Sequence, residues 1–258
     1  MARVSRKNIT SKYIHVITQG LKKEYIFEKN EYKAEYIKLI RKFIEECEST
    51  KIVAYCIMSN HAHLLIYTEN IAELSKIMSR VNTAYAIFYN NINDRVGYVF
   101  KNRFYVQQIK DEGHLYNAIV YIHRNPVKAG IVENESVYNY SSFNDYVNSK
   151  IDSEIINKIF GTENYLKQFY FMHKNFSEEN IKDVMEEDEK SDLKMKKIIT
   201  EFCNSYNYNL NDIKNDNYLL MLLIKKIKKQ CAITNKMISE YIGIGKNRIT
   251  NLMKNKKD

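Results

Sequence analysis

Two histidines one residue apart, His61 and His63, are the side chains of this sequence best placed to do chemistry. They follow an apolar run over residues 52–58 and the turn-forming pair Ser59-Asn60, in a stretch that is typical of a buried strand. Because side chains alternate along a strand, both imidazoles point to the same face. Two buried imidazoles need a partner, and a divalent metal ion would supply one. The alternative is a pair of hydrogen-bonded core histidines.

A second candidate element, from Asp111 to Pro126, has the pattern of a helix. Asp111 is the expected N-cap, and Pro126 the expected stop, since the residue before a proline avoids the helical region. Tyr121 and Asn125 lie one turn apart on a flanking face, off the apolar stripe of Leu115, Ala118, Ile119 and Ile122. The tyrosine hydroxyl could act there as a nucleophile. Simple packing is the alternative for Tyr121, because the chain has 21 tyrosines.

Six short segments carry a family pattern over about residues 8 to 147. They are YIHVI at 13–17, KKEYIF at 22–27, MSNHAHLLI at 58–66, GYVFKNRF at 97–104, YIHRNPVKAG at 121–130 and YSSF at 140–143. In this order and spacing they resemble the single-tyrosine HUH transposases, in particular the branch of REP-associated tyrosine transposases.

The resemblance implies a mechanism. His61 and His63 match the histidine pair that holds Mg²⁺ or Mn²⁺, Tyr121 matches the nucleophile, and Asn125 matches the polar residue that completes the metal site. Such enzymes cut single-stranded DNA at hairpins or palindromic repeats and keep the 5′ phosphate as a phosphotyrosine. Asn125 stands where some relatives have glutamine, so we expect a longer or water-mediated contact with the metal. Ala62 is also smaller than the aliphatic residue that is commoner between the two histidines.

The chemistry of these residue types is consistent with that mechanism. A tyrosine with a pKa of about 10 is a poor nucleophile at neutral pH, and a divalent ion could activate the phosphate as a Lewis acid. Two histidines and an amide leave coordination positions open, as Mg²⁺ and Mn²⁺ prefer. A closed zinc site is disfavoured because the four cysteines have no CxxC spacing. No glycine-rich phosphate loop indicates a nucleotide cofactor.

Composition favours a polyanionic partner. The formal net charge is +9, and 21 Tyr and 11 Phe are available for base stacking in a chain without Trp. We expect no membrane association, because no signal-peptide pattern is apparent and the longest apolar run, residues 219–224, is too short to span a bilayer. Scattered cysteines suit a reducing cytoplasm, so the expected location is cytoplasmic and nucleoid-associated. Relatives act as monomers or as homodimers.

Charge and periodicity predict three regions. Residues 1–149, with 20 basic and 15 acidic residues (+5), are expected to form the HUH transposase domain. Its predicted class is α+β, a ferredoxin-like antiparallel sheet with helices on one face. Predicted strands cover 13–18, 52–58, 61–67 and 104–110, and predicted helices cover 32–47, 71–90 and 112–125. Residues 150–192 are expected to form a helical and acidic connector.

Residues 193–258, with 14 basic and 5 acidic residues (+9), are expected to form a helical DNA-binding domain that ends in a helix-turn-helix. Thr234 is the expected N-cap and Gly243 the expected turn residue. The outer face of the second helix would then carry the DNA-contacting side chains Lys246, Asn247, Arg248 and Asn251. A small helical bundle with a solvated basic face is the alternative.

Three classes of function remain open on the sequence alone. The first is a DNA-cleaving and rejoining enzyme of the HUH type. The second is a regulator that binds DNA or RNA with the same fold and no catalysis. The third is an RNA nuclease built on the same sheet. The joint presence of His61, His63, Tyr121 and Asn125 favours the first.

Overall fold

The computed structural model describes residues 9–161, 164–176, 184–230 and 235–254. The chain divides into two compact units, one over Val4–Ile181 and the other including Lys182–Asp258. Among the described residues, no helix is long and apolar enough to cross a membrane.

The larger unit is built on a four-stranded antiparallel sheet. Along the chain run β1 (Tyr13–Gln19), α1 (Asn30–Glu45), β2 (Thr50–Ile57), β3 (His61–Thr68), α2 (Ile71–Ile92) and β4 (Tyr105–Gln108). The strand order in the sheet is β2-β3-β1-β4, which is the ferredoxin-like split βαβ arrangement. The predicted α+β class with an antiparallel sheet is therefore confirmed, and β1 and β3 occupy its centre.

One face of the sheet packs against α1 and α2. The side chains of Ile14, Val16 and Leu64 meet Tyr36 and Tyr85 of these helices in a fully buried core. The two helices follow the strands they connect, as the ferredoxin-like order requires.

The other face is covered as well, by α3 (Glu112–Lys128), α4 (Phe143–Val147), α5 (Ser153–Phe160) and α6 (Tyr165–Lys174). The expectation of helices on one face only is therefore wrong. The reason lies in β3, where Leu65 and Tyr67 on this face are buried, as Leu64 and Ile66 are on the other. A strand that is apolar on both sides needs cover on both sides.

Helices α5 and α6 belong to the larger unit and do not form a connector that begins at residue 150. Five of their side chains, Ile155, Ile156, Ile159, Phe160 and Phe169, are buried in the same core as α3.

The smaller unit is helical. It contains α7 (Val184–Tyr206), α8 (Leu210–Asn215), α9 (Asn217–Gln230), α10 (Asn235–Ile242) and α11 (Lys246–Lys254) around a core that includes Ile238, Ile242 and Ile249. Residues 243–245 join α10 to α11, and Gly243 has a φ of 75°, a conformation that glycine adopts without strain. Thr234 and residues 177–183 of the acidic segment lie outside the described residues. The DNA-reading helix-turn-helix stays a prediction.

Candidate active site

Three histidines meet on the face of the sheet that α3 covers. His61 and His63 lie at the start of β3, and His15 lies on the neighbouring strand β1, where Ile17 is the direct partner of His63. The ring atoms His15 Nε2 and His63 Nδ1 are 3.0 Å apart. The side chains of His15 and His63 are buried. The rings of His61 and His63 lie edge to face, with centroids 4.8 Å apart.

Local hydrogen bonds engage Nδ1 of both β3 histidines. His61 Nδ1 donates to Asn60 Oδ1 at 2.6 Å, so in the neutral ring Nε2 carries the lone pair. His63 Nδ1 is engaged by His15, whereas His63 Nε2 is the one buried side-chain nitrogen or oxygen in the described part of the chain without a hydrogen-bond partner. A neutral imidazole nitrogen with a lone pair can accept a hydrogen bond or bind a metal ion.

The surroundings of His63 keep its imidazole neutral. Burial lowers its pKa well below the ordinary value, and the neighbouring charges of His61, His15 and Lys128 lower it further. A neutral imidazole is the form that binds a metal ion, so His63 is ready to act as a ligand at neutral pH.

The helix α3 brings the other two predicted residues to this face. It begins at the predicted N-cap, since the Asp111 side chain accepts a hydrogen bond from the His114 amide at 2.8 Å. It does not end before Pro126, as the sequence suggested, but continues to Lys128. The helix accommodates the proline near its end, where the Ile131 amide bonds to the Pro126 carbonyl at 2.9 Å.

Tyr121 is part of the core and not of a flanking face, because its side chain is only 5% exposed. Its ring centroid lies 5.7 Å from that of His63 and 6.3 Å from that of His15. Lys128 Nζ lies 5.6 Å from the same ring centroid. The predicted tyrosine and the predicted histidine pair therefore meet in one site, together with a cation from the end of α3.

Asn125 lies one turn further along α3 and is 8% exposed. Its Nδ2 donates to the Tyr121 carbonyl at 2.9 Å, so the amide is held in place and Oδ1 remains as an acceptor. Among the described residues no group of three or more His, Cys, Asp and Glu is arranged to hold a metal ion. A site here would instead use two imidazoles and an amide oxygen, a donor set that fits Mg²⁺ or Mn²⁺ with open positions.

A chain of hydrogen bonds fixes α3 from its other side. His123 is fully buried, its Nε2 lies 2.8 Å from Ser142 Oγ, and its Nδ1 lies 3.0 Å from His173 Nε2 on α6. His173 Nδ1 in turn donates to the Phe169 carbonyl at 2.8 Å, and Ser142 Oγ accepts from the Tyr55 amide of β2 at 2.9 Å. The chain ties the helix of Tyr121 to β2 and to α6.

Sequence reasoning missed the roles of His15 and Lys128. His15 lies in the segment YIHVI at 13–17. A histidine inside this apolar run of β1 was the available signal. Lys128 lies two turns after Tyr121, on the same side of α3, but only beyond the proline that was expected to end the helix.

The predicted DNA-contacting residues belong to the smaller unit. Lys246, Asn247 and Asn251 are exposed on α11. Arg248 is exposed as well, but one guanidinium nitrogen donates to the Lys214 carbonyl at 2.7 Å and to Asn217 Oδ1 at 2.8 Å. This side chain therefore joins α11 to the region where α8 meets α9, a structural role that the sequence did not suggest.

Known proteins resemble this chain in sequence. The family model described as Transposase IS200 like matches residues 8–125, a segment that holds all four predicted site residues of the larger unit. A REP-associated tyrosine transposase of Haemophilus influenzae is 32% identical over 136 residues, which cover 48% of this chain and 77% of the relative. The chain belongs to the REP-associated tyrosine transposase family. A solved structure of a REP-associated tyrosine transposase bound to a REP hairpin is 17% identical, with a TM-score of 0.49 over 59% of this chain and 88% of that one.

As a member of a family of tyrosine transposases, the chain is related to DNA-processing enzymes. The helices α4 to α6 and the smaller unit lie after the segment that the family model matches. In this member of the family, Ser142, the residue before α4, and His173 of α6 therefore supply the partners of His123 from outside that segment.

Proposed function

We propose that this chain is a metal-dependent endonuclease and strand transferase that acts on single-stranded DNA at hairpins or palindromic repeats. One observation carries the proposal: the Tyr121 ring lies 5.7 Å from the ring of His63, whose buried Nε2 has no hydrogen-bond partner in the described part of the chain. A nucleophile beside an unused metal ligand is what such chemistry requires. The family membership supports the choice of DNA as substrate.

In this proposal His61, His63 and Asn125 would hold one Mg²⁺ or Mn²⁺ ion, through the Nε2 atoms of the two histidines and Oδ1 of the amide. When bound, the ion polarises the scissile phosphate as a Lewis acid. His15 holds the ring of His63 through Nδ1, and Asn60 holds the ring of His61 in the same way. Lys128 adds positive charge beside the ring of Tyr121, where a phosphate would bind.

The proposed step exchanges one phosphodiester for another. Tyr121 Oη forms a bond to phosphorus, the bond from phosphorus to the 3′ oxygen breaks, and the proton lost by the phenol is balanced by one gained on the leaving oxygen. The 5′ phosphate stays on the tyrosine. Since no bond energy is lost to water, a 3′ hydroxyl can reverse the step and join a new strand without a nucleotide cofactor.

The substitution Tyr121→Phe tests the proposal. Wild-type protein, incubated with a single-stranded hairpin oligonucleotide and Mn²⁺, should form a covalent adduct that survives denaturing electrophoresis, and Tyr121→Phe should form none. The phenylalanine keeps the buried ring, so the free energy of unfolding should change by only about 1 kcal/mol.

Tyr116→Phe is the matched control, because Tyr116 lies on the same helix but bonds to Glu112 and to the Ile159 carbonyl. This variant should still form the adduct. An adduct on Tyr121→Phe, or cleavage that leaves free ends after attack by water, would contradict the proposed mechanism.

A second candidate, a DNA-binding regulator without catalysis, is favoured by one observation. Tyr121 is only 5% exposed, which is low for a nucleophile that has to meet a DNA phosphate. Hairpin binding by wild-type protein with no adduct in either Mg²⁺ or Mn²⁺ would support the regulator.

A further inference from the structure

Two loops of the larger unit meet beside His61 and form an exposed surface, the lysine–tyrosine surface, made of residues 20–25 and 97–103. The Leu21 amide donates to the Val99 carbonyl at 2.8 Å, and the Lys101 amide donates to the Gln19 carbonyl at 2.9 Å. Gln19 is also the strand partner of His61. The surface is therefore continuous with the end of the sheet at which His61 lies.

The side chains on this surface are basic and aromatic. Tyr98 is 86% exposed and Tyr25 is 62% exposed, although neither contributes to a core. The two segments hold four basic residues, Lys22, Lys23, Lys101 and Arg103. Their one acidic residue, Glu24, forms an ion pair with Arg95 at 2.8 Å. The surface therefore combines a positive charge with two open ring faces.

The backbone here holds two lysines in a conformation that lysine rarely adopts. The φ angles of Lys22 and Lys23 are 52° and 63°, in the left-handed region, which is strained for any residue other than glycine. The turn is also tight, since a Cβ atom on Gly20 would lie 2.3 Å from the Glu24 carbonyl oxygen. Lysine at a position that glycine would fill without strain points to a use for the side chain.

We propose that the lysine–tyrosine surface binds the single strand of DNA next to the cleaved phosphate, with phosphates at Lys22 and Lys101 and bases stacked on Tyr25 and Tyr98. Proteins bind single-stranded nucleic acid with basic side chains that contact the phosphates and with aromatic rings on which the bases stack. The inference rests on the proposed function, because the surface leads to His61 and so serves the site built there.

Lys22→Gly is the sharpest test, because glycine removes the side chain and also relieves the backbone. Binding is measured by fluorescence anisotropy on the full chain carrying Tyr121→Phe, with a labelled oligothymidylate of about 20 nucleotides as the probe. Affinity should fall, the slope of log affinity against log salt should shrink by about 0.7, and thermal stability should not fall. Lys22→Arg should retain affinity. Lys150→Gln, which removes an exposed lysine elsewhere in the unit, should leave the salt slope far less affected.

Tyr98→Ala tests the stacking. We expect its affinity for the same probe to fall roughly five- to a hundredfold, while Tyr98→Phe, which keeps the ring face, stays near wild type. Tyr170→Ala is the matched control, since Tyr170 is also exposed, at 49%, but lies on α6. Unchanged affinity in both Lys22→Gly and Tyr98→Ala would overturn the proposal.

The outcomes separate this surface from the proposed function. If wild-type protein forms the adduct and the surface variants bind the probe normally, the surface is wrong and the function stands. If no adduct forms but the variants lose binding, the surface stands and the function fails. The assignment to DNA would be overturned if the wild-type protein bound an RNA of matched length more tightly than the DNA probe and the surface variants lost more affinity for that RNA. It would also be overturned if the variants changed the oligomeric state of the protein and left its affinity for the DNA probe unchanged.

Discussion

The two ring nitrogens of His63 differ in their surroundings. Nδ1 is 3.0 Å from His15 Nε2, and Nε2 points to the proposed metal position without another partner among the described residues. For Nε2 to donate a lone pair, the proton of the neutral ring must sit on Nδ1, and His15 must then accept it. A partner that fixes the tautomer of a ligand in this way commonly contributes tenfold or more to metal affinity.

We therefore predict that His61→Ala loses Mn²⁺ binding and that His15→Phe weakens it roughly ten- to a hundredfold. Phenylalanine keeps an aromatic ring in the buried position of His15 but cannot accept the proton of His63. Titration of Mn²⁺ followed by electron paramagnetic resonance measures the affinity without reference to catalysis. His114→Ala, at the start of α3, is the control and should bind Mn²⁺ as wild type does. Equal affinity in His61→Ala would place the metal elsewhere.

The sequence predicted part of this site and could not have predicted the rest. Alternation in a strand was enough to put His61 and His63 on one face, and helical spacing was enough to bring Tyr121 next to Asn125. His15 comes close to His63 only through the register between β1 and β3, in which His63 faces Ile17. Register depends on the pairing of distant segments and is not visible in local periodicity.

At the scale of the elements, α3 shows why its end was misjudged. Pro126 was expected to stop the helix, because the residue before a proline avoids the helical region. That preference is modest, and burial of the helix overrides it here, since Asn125 and Pro126 are both buried on α3. The extra turn is what carries Lys128 to the ring of Tyr121.

The last helix, α11, allows a prediction that separates binding from packing. Arg248→Ala should lower the melting temperature, because it removes two hydrogen bonds that tie α11 to Lys214 and Asn217. Lys246→Ala should leave the melting temperature unchanged and weaken binding to a hairpin stem, with a salt slope smaller by about 0.9. Thermal unfolding and fluorescence anisotropy measure the two effects. Normal hairpin binding by Lys246→Ala would argue against the DNA-reading role of this helix.

For the whole molecule, net charge was a poor guide to where one unit ends. The expected boundary at residue 149 followed a change in composition, whereas the larger unit also includes α5 and α6, which come after that position. Net charge depends mainly on surface residues, whereas α5 and α6 join the larger unit through their buried apolar side chains. The apolar residues of both helices were visible in the sequence, but nothing local indicated which core they would enter.

Two buried histidines and one half-buried histidine should make the stability of the larger unit depend on pH. Burial lowers the pKa of His63, His123 and His173, the first two strongly. Below the unfolded value of about 6.5, the unfolded chain takes up protons that the folded chain refuses, so the free energy of unfolding falls as the pH falls. The expected slope is about 1.4 kcal/mol per pH unit for each histidine that stays neutral, and it vanishes well above pH 6.5.

Urea unfolding followed by tyrosine fluorescence, at about pH 7.5 and about pH 5.5, measures this dependence. His173→Gln should reduce the difference in the free energy of unfolding between the two pH values, because glutamine does not titrate and the contribution of His173 is lost. Equal stability at the two pH values in the wild-type protein would contradict the prediction.

The hydrogen-bond chain through His123 also has a direction. The Phe169 carbonyl can only accept, so His173 must donate from Nδ1, His123 must donate to His173, and the Ser142 hydroxyl must donate to His123. None of these hydrogen bonds can change direction unless the next one changes direction too, so the series behaves as a single cooperative unit. Removing Ser142 and His173 together should therefore cost a different amount from the sum of the two single losses, although the two side chains share only His123 as a partner. The orientation of α3, the helix that carries Tyr121, thus depends on a series of hydrogen bonds that begins at the Phe169 carbonyl, outside the family-matched segment.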